Sequence, residues 1–333
     1  MQRDHETQFV ANPRGASDKG PKMNKVDPFK HQLQLTKWDW LRTYILAVLL
    51  VPIRVLLFFI ILLLIYLYAC IALSLNKKNL VERPYSSNWI KLIHFLFKIG
   101  WKICGFKVRV KGNIAPVNEA PIIIGAPHST FFDGNVCQVG MEPASTVIGG
   151  ADKMPILGKI LQLYQCIFVN RSDPQSRETT KREIVRRTDS NNHTDINERW
   201  RHLIIFPEGI CSNRKALLPF KPGAFIPGKP VQPAIFRWPN RIDTVTWTWD
   251  QPHGFMSVLW LTLAQPFTRH EVEFLPVYYP STQEKNDPAL YASNVRKFMA
   301  TYNNMDTCDM TIEEVKKRYG KKSAKNDVNR KVD

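Results

Sequence analysis

Cysteine is scarce in this sequence, and its arrangement excludes several classes of protein. The six cysteines among 333 residues are scattered and contain no CxxC pair. This pattern indicates reduced thiols facing a cytosolic compartment, and it excludes the disulfide framework of a small secreted domain. The sequence also lacks zinc-ligand spacing, a basic zipper, an aromatic RNA-binding signature and a calcium loop of the D-x-[DN]-x-[DN]-G type. We therefore predict no bound metal and no nucleic-acid partner.

Acidic residues are few compared with basic ones. Asp and Glu total 29 against 46 Lys and Arg, which gives a formal charge of +17 and a pI near 9.6. Such an excess points to an anionic partner. Without nucleic-acid signatures, the remaining partners are lipid head groups and phosphorylated substrates.

One long run of the chain contains no charge. Val55 to Leu75 is 21 uncharged residues, and a helix of that length spans roughly 30 Å, the thickness of a bilayer core. A shorter apolar piece, Tyr44 to Ile53, precedes it and contains Pro52. Because both flanks of the region are basic, residues 41–76 are predicted to form either a single span or a re-entrant helical pair bent at Pro52.

The rest of the chain predicts an α/β domain. Between residues 77 and 312, short apolar runs alternate with amphipathic stretches, which favours a mixed central sheet flanked by helices. The predicted strands are Ile122–Ile124, Ile167–Val169, Leu203–Phe206 and Phe274–Tyr279. The predicted helices are Pro155–Tyr164, Arg177–Arg187 and Pro288–Tyr302. Residues 1–40 and 313–333 are polar or lysine-rich and are predicted to be disordered.

A histidine and an aspartate follow the first of these strands. His128 and Asp133 are separated by four residues, directly after the apolar run 121–125. An imidazole titrates near neutral pH, and a carboxylate that accepts its second ring proton stabilises the cation formed when it acts as a base. The end of a buried strand is where α/β proteins place their sites. The pair is therefore a candidate general base, although this spacing alone is also common on protein surfaces.

Three further clusters occur in the same domain. Phe168–Arg171 ends a strand on a guanidinium that could fork onto a phosphate, although a solvated strand end would read the same way. Phe206–Arg214 runs from a strand into a turn, where Gly209 lets the backbone approach a ligand closely. Phe220–Phe225 carries Lys221 in a turn and is followed by Val231–Ile235.

The order of these blocks resembles the four motifs of the glycerolipid acyltransferase family, the PlsC or 1-acylglycerol-3-phosphate acyltransferase family. Within it, the extended third block and residues 170–177 look most like the lysophosphatidylcholine acyltransferase branch. Gln165 and Ile210 depart from the residues common in the family, glycine and threonine respectively. Both departures concern the identity of the acceptor head group and leave the His128–Asp133 pair intact.

The resemblance implies that acyl-CoA, a co-substrate, donates its acyl group to the free hydroxyl of a lysophospholipid. His128 would be the base and Asp133 its orienting partner, and no cofactor or metal would be needed. Arg171 would bind the acceptor phosphate, Glu208 and Gly209 would line the acceptor side, and backbone amides of the turn 208–212 would serve the oxyanion. The further substrate-binding candidates are Asn213, Arg214, Lys221 and Pro233.

Other functions remain open at this stage. Lysophosphatidic acid or glycerol-3-phosphate is the alternative acceptor within the enzyme class. A lysolipid serine hydrolase would need a G-x-S-x-G elbow, which is absent, and Ser129 beside His128 is a poor substitute. A non-catalytic membrane adaptor would leave the four ordered blocks unexplained.

The sequence also carries signals of location. The residues Arg330-Lys331-Val332-Asp333 resemble a dilysine-type retrieval signal. We therefore expect an integral membrane protein of the endoplasmic reticulum whose active site faces the cytosol, with the Golgi and lipid droplets as alternatives. Membrane lipids are expected partners, and the sequence favours no particular oligomeric state.

Overall fold

The computed structural model describes residues 27–75, 84, 87–141, 143–150, 154–170, 173–189, 199–250, 254–311 and 313–319. The helices are α1 (Lys37–Leu75), α2 (Ser87–Ile103), α3 (Phe132–Val139), α4 (Pro155–Leu163), α5 (Pro174–Asp189), α6 (Phe255–Leu263), α7 (Thr282–Asn286), α8 (Pro288–Tyr302) and α9 (313–319). The strands are β1 (Phe106–Lys111), β2 (Ile122–Ala126), β3 (Ser145–Gly149), β4 (Ile167–Val169), β5 (Leu203–Ile205), β6 (Ala216–Leu217), β7 (Val231–Arg237), β8 (Thr268–Phe274) and β9 (Asp306–Thr307).

A seven-stranded mixed sheet forms the centre of the domain, in the order β1-β8-β7-β2-β5-β3-β4. Every neighbouring pair is parallel except β7 and β8. The predicted α/β class with a mixed sheet is confirmed. Strand β2 lies near the middle, so its carboxyl end opens between β5 and β7, where a parallel sheet presents side chains to a ligand.

The sheet buries both of its faces, as a largely parallel sheet must. Ile122 and Ile124 of β2 pack on one side with Tyr291 and Val295 of α8. Ile123 points the other way and joins a second cluster that contains Phe236 of β7. This alternation explains why β2 reads as a continuous apolar run, since each face needs its own apolar residues.

One predicted strand is wrong in position. The sequence predicts a strand over Phe274–Tyr279, whereas β8 ends at Phe274 and only Tyr278 makes an isolated bridge to Val231. Pro276 lacks the N–H group that a continuing ladder would use. The actual strand was hidden because the charged residues Arg269, Glu271 and Glu273 alternate with its buried residues.

The apolar N-terminal segment forms a single helix. Helix α1 has 39 residues with Pro52 inside it, which makes it about 58 Å long. The chain therefore does not bend back at Pro52 into a second helix. Among the described residues, α1 is the one helix long and apolar enough to cross a membrane, by length and composition.

Helix α1 lies along the domain over its whole length. Near its start, the Asp39 carboxylate pairs with Arg241. Further along, Ile61, Ile65 and Ala69 belong to a core cluster shared with α2 and α4. The side turned away from the domain exposes large apolar residues from end to end: Trp38, Leu41, Ile45, Val48, Leu56, Phe59, Leu63, Leu67 and Ile71.

Arg54 fastens the middle of α1 to the domain. Its guanidinium donates hydrogen bonds to the carbonyl oxygens of Leu263, Gln265 and Pro266 at 2.6, 2.5 and 2.7 Å, and the residue is 8% exposed. Arginine suits this position because several donors of one rigid group serve three acceptors at once. Arg54 separates the two apolar pieces in the sequence, and the structure uses it inside a protein contact.

The described parts of the two termini are folded against the domain, which differs from the predicted disorder. Phe29 is fully buried and shares a cluster with Val315 and Tyr319, which belong to α9. The side chain of Asn213 donates to the carbonyl oxygens of Asp27 and Lys30. A few buried apolar side chains order these short pieces, and average composition over forty residues does not reveal them.

Removing the Arg54 contact is expected to destabilise the protein. In Arg54→Ala three carbonyl oxygens lose a charged donor, which should cost roughly 2–3 kcal/mol. The thermal unfolding midpoint in detergent should then fall by about 5 °C. Arg42→Ala, an exposed arginine on the same helix, is the matched control and should shift the midpoint by less than about 1 °C. Equal midpoints for the two variants would show that the Arg54 contact contributes nothing.

Candidate active site

The predicted His128–Asp133 pair forms at the carboxyl end of β2. The Nδ1 atom of His128 lies 2.9 Å from Oδ2 of Asp133. The His128 side chain is 20% exposed, whereas that of Asp133 is fully buried. The protein therefore holds Nδ1 of the imidazole, while part of the ring stays exposed. This is the arrangement that a general base needs.

Asp133 is held as a carboxylate by four donors. Oδ2 accepts the backbone N–H groups of Ser129 at 2.7 Å and Thr130 at 3.0 Å, in addition to His128. Oδ1 accepts the indole N–H of Trp238 at 2.9 Å. A buried carboxylate needs such partners, because an unpaired charge in the interior is costly.

The pKa values of His128 and Asp133 both differ from their ordinary values. Burial raises the pKa of Asp133, but hydrogen bonding and attraction to His128 outweigh it and hold the pKa below the usual range. Burial lowers the pKa of His128, but the side chains of Cys211 and Asp133 outweigh it and raise the pKa well above the usual value. The ring is thus strongly basic, and it becomes the free base only as pH rises through this raised pKa.

Glu208 supports the loop that carries His128. Its Oε2 accepts the backbone N–H of His128 at 2.6 Å, and its Oε1 accepts that of Leu218 at 2.9 Å. The residue is 2% exposed, and burial raises the pKa of its carboxyl group to about 7. The predicted placement of Glu208 along the acceptor side is not what the structure shows, since the carboxylate lies beneath the His128 loop.

Two further predicted residues also face inward. The guanidinium of Arg214 donates to the hydroxyl of Ser129 at 2.8 Å and to Oδ2 of Asp243 at 2.5 Å. Asn213 is 8% exposed and uses its amide to hold residues 27–30. Both side chains connect loops that are distant in sequence. In this structure they therefore support the site, and neither is positioned to contact a ligand.

Gly209 and Lys221 meet at the turn beside His128. Gly209 has φ +68°, and a Cβ there would lie 2.6 Å from Nζ of Lys221. The positive φ angle therefore favours glycine here, and the absence of a Cβ lets the tip of Lys221 approach the backbone closely. Lys221 is exposed, which places a cation at the rim of the site.

The same turn presents two backbone donors. Gly209 donates its N–H to the carbonyl of Phe206, and Ser212 donates to that of His128. Between them, the N–H groups of Ile210 and Cys211 donate to no backbone acceptor within the part of the chain that the structure describes. Paired free amides close to a base can stabilise a developing oxyanion.

The last two predicted residues differ in status. Pro233 is buried in β7 opposite Ile124, so it belongs to the sheet and does not reach the exposed part of the site. Arg171 lies outside the described residues, and its predicted phosphate contact stays a prediction.

Several site residues were missed from the sequence. Phe206 stacks on the His128 ring with centroids 4.4 Å apart, and Trp238 donates to Asp133 from 105 positions away. Behind Trp238 the ring of His270 packs at 4.1 Å, and burial lowers the pKa of His270 to about 4, so it is neutral. Cys211 lies in a block that the sequence singled out, yet only the fold reveals its contact with His128.

Comparisons with known proteins agree with the motif resemblance. A sequence model of the acyltransferase family matches residues 107–237. The chain is 44% identical over 294 residues to lysophosphatidylcholine acyltransferase 2B of Mus musculus, covering 87% of this chain and 55% of that protein. It is 42% identical over 307 residues to lysophosphatidylcholine acyltransferase 2 of Homo sapiens, covering 91% and 54%. The chain thus spans about half the length of the curated relatives it matches.

A more distant likeness is found among solved structures. The crystal structure of the 1-acyl-sn-glycerophosphate acyltransferase PlsC from Thermotoga maritima superposes with a TM-score of 0.49 at 15% identity. The superposition covers 81% of this chain and 99% of that one.

The electrostatics of the pair can be tested by titration. Asp133→Asn removes the carboxylate that stabilises the imidazolium, so the pKa of His128 should fall towards its usual range. NMR of the protein labelled with ¹³C-histidine measures this, with the signal assigned by its loss in His128→Gln. Asp309→Asn, at an exposed position, is the control and should leave the titration unchanged. The same His128 pKa in both variants would contradict the assigned role of Asp133.

Proposed function

From the acyltransferase-family domain that this chain carries at residues 107–237, we propose that the protein transfers an acyl group from acyl-CoA to the free hydroxyl of a lysophospholipid. The observation that carries the proposal is the His128–Asp133 contact at the open end of β2. The named relatives are lysophosphatidylcholine acyltransferases, which supports a lysophosphatidylcholine-like acceptor.

The reaction uses His128 first as a base and then as an acid. The imidazole nitrogen that does not face Asp133 takes the proton of the acceptor hydroxyl. At the same time, the oxygen of that hydroxyl attacks the thioester carbonyl carbon. The tetrahedral intermediate collapses, the carbon–sulfur bond breaks, and the imidazolium returns the proton to the leaving thiolate of CoA. Asp133 stabilises the intermediate imidazolium, and no acyl-enzyme is needed. A positioned base of this kind typically supplies roughly 10²–10⁴-fold in rate.

The turn after β5 serves the oxyanion. The N–H groups of Ile210 and Cys211 are the donors that we assign to the negative oxygen of the tetrahedral intermediate. Glu208 acts as a positioning residue, since its carboxylate holds the His128 backbone on one side and the Leu218 backbone on the other. Gly209 makes the turn possible.

Two cations are assigned to the phosphates of the substrates. Lys221 lies at the rim of the His128 site, and Arg171 comes two residues after β4 in the sequence. A guanidinium can fork onto the acceptor phosphate, whereas the lysine acts as a point charge. Acyl-CoA and the lysolipid both carry phosphates, so a basic protein suits both substrates.

An apolar path supports access from the membrane. Phe131, three residues after His128, packs against Phe255 at 4.7 Å. Phe255 and its neighbour Met256 at the start of α6 are 48% and 69% exposed. Both belong to α6, which packs against α1, so an acyl chain entering from a bilayer could reach the catalytic ring over aromatic surface.

The geometry of α1 favours a helix lying in the membrane interface. A helix that crossed the bilayer would contact the domain at one end only, whereas α1 packs on α6, α2 and α4 in turn. Its outer apolar side would then be buried in one leaflet. We place the protein at the endoplasmic reticulum with His128 on the cytosolic side. The five cysteines whose side chains are described are all free thiols, which supports this side.

One rival function is disfavoured by a specific contact. A lysolipid hydrolase would need Ser129 as nucleophile, but this serine is fully buried and its hydroxyl accepts a hydrogen bond from Arg214. Its side chain therefore cannot reach an ester.

The acyl transfer can be tested with purified protein, labelled acyl-CoA and three acceptors: lysophosphatidylcholine, lysophosphatidic acid and glycerol-3-phosphate. Lysophosphatidylcholine should be acylated fastest, and His128→Ala should lose at least about 10²-fold in rate. The variant should keep wild-type vesicle binding, because the apolar outer side of α1 is unchanged. Retention of more than about a tenth of the rate would refute His128 as the base.

A further inference from the structure

A second cavity lies outside the His128 site. It has a volume of about 210 Å³ and is formed by nine residues: Arg42, Asn240, Arg241, Ile242, Gln265, Pro266, Phe267, Thr268 and Arg269. Three of the nine are arginines and none is acidic. None of the catalytic residues described above contributes to it.

The walls of this arginine cavity are fixed by specific bonds. The side chain of Asn240 donates to the carbonyl of Arg269 at 2.9 Å and accepts its backbone N–H at 2.7 Å. Arg54 holds the carbonyls of residues 263, 265 and 266 from the α1 side. Arg241 pairs with Asp39 of α1. The cavity is thus a built feature of the junction between α1 and β8.

The charge of the cavity extends beyond its lining. Nζ of Lys107 lies 4.3 Å from the ring centre of Phe267, and the guanidinium carbon of Arg269 lies 5.0 Å from it. Phe267 is 40% exposed, so two cations share one surface ring. Such a grouping suits a phosphate oxygen cluster, which guanidinium groups bind with directed hydrogen bonds.

The position of the cavity indicates the source of the phosphate. Arg42 lies one helical turn after Trp38, which is 78% exposed, and one turn before Ile45, which is 53% exposed. These residues belong to the outer apolar side of α1, the side placed in the membrane interface above. Tryptophan and arginine at such a position lie at the depth of lipid head groups.

We propose that the arginine cavity binds the phosphate of an anionic phospholipid head group, at a site separate from the His128 centre. Arg42 and Arg269 contact the phosphate, and Arg241 sets the depth of the cavity through its pair with Asp39. The bound lipid fixes the start of α1 at the membrane surface. The inference uses the interfacial position of α1 but not the acyl-transfer reaction.

The test measures binding of the full chain to vesicles by flotation. The vesicles contain phosphatidylcholine alone, or phosphatidylcholine with phosphatidic acid. Arg42→Gln with Arg269→Gln should weaken binding to the phosphatidic acid vesicles by roughly thirtyfold, at about fivefold per arginine. Binding to neutral vesicles should be unchanged, because the apolar side of α1 is intact.

A matched control removes the same charge elsewhere. Lys297→Gln with Lys316→Gln changes two exposed lysines on α8 and α9, and its binding to phosphatidic acid vesicles should stay close to wild type. An equal loss in both double variants would show general electrostatic attraction and overturn the site.

The acyl donor also carries phosphates, so it forms the second arm of the experiment. The KM for acyl-CoA in neutral detergent micelles should be the same for the wild type and the arginine double variant. A raised KM together with wild-type vesicle binding would assign the cavity to CoA and overturn the lipid proposal. Acyl transfer in the same micelles tests the proposed function independently, so failure of one does not imply failure of the other.

Discussion

The buried carboxylate of Asp133 is the interaction on which the site depends. It gathers donors from its own loop and from Trp238 after β7, and it holds the His128 ring. A charge in this interior is stable only when it is fully bonded, so the loop, the strand and the ring are positioned together. Glu208 also holds the His128 loop, because its buried carboxylate accepts the backbone N–H of His128.

The second constraint is the attachment of α1. An apolar helix of this length usually suggests a span, yet here one stripe of it is buried against the domain and the rest faces outward. Arg54 shows why composition misleads, because a charge beside an apolar run can mark a protein contact as well as a membrane boundary. The consequence is that the His128 end of the sheet sits close to an exposed apolar surface.

Particular residues show what the sequence could and could not predict. Strands β2, β4 and β5, helix α8 and the His128–Asp133 pair could be predicted because they depend on apolar runs, local capping and short spacing; the Asp287 side chain caps α8. The roles of Asn213 and Arg214 could not be predicted. Polar side chains next to a turn give the same sequence pattern whether they face a ligand or a distant loop. Only the fold brings Asp27 and Asp243 to them. Strand β8 was missed because its exposed charges mask a regular buried alternation.

In the proposed mechanism, the acceptor hydroxyl attacks the thioester directly, with His128 as the base. The alternative is a covalent intermediate on Cys211, because a thiol beside the imidazole could itself take the acyl group. The decisive measurement is the intact mass of the enzyme after incubation with acyl-CoA and no acceptor, followed by rapid quenching. Direct attack predicts an unmodified chain and no release of CoA. An acyl adduct on Cys211, with one equivalent of CoA released, would contradict the account.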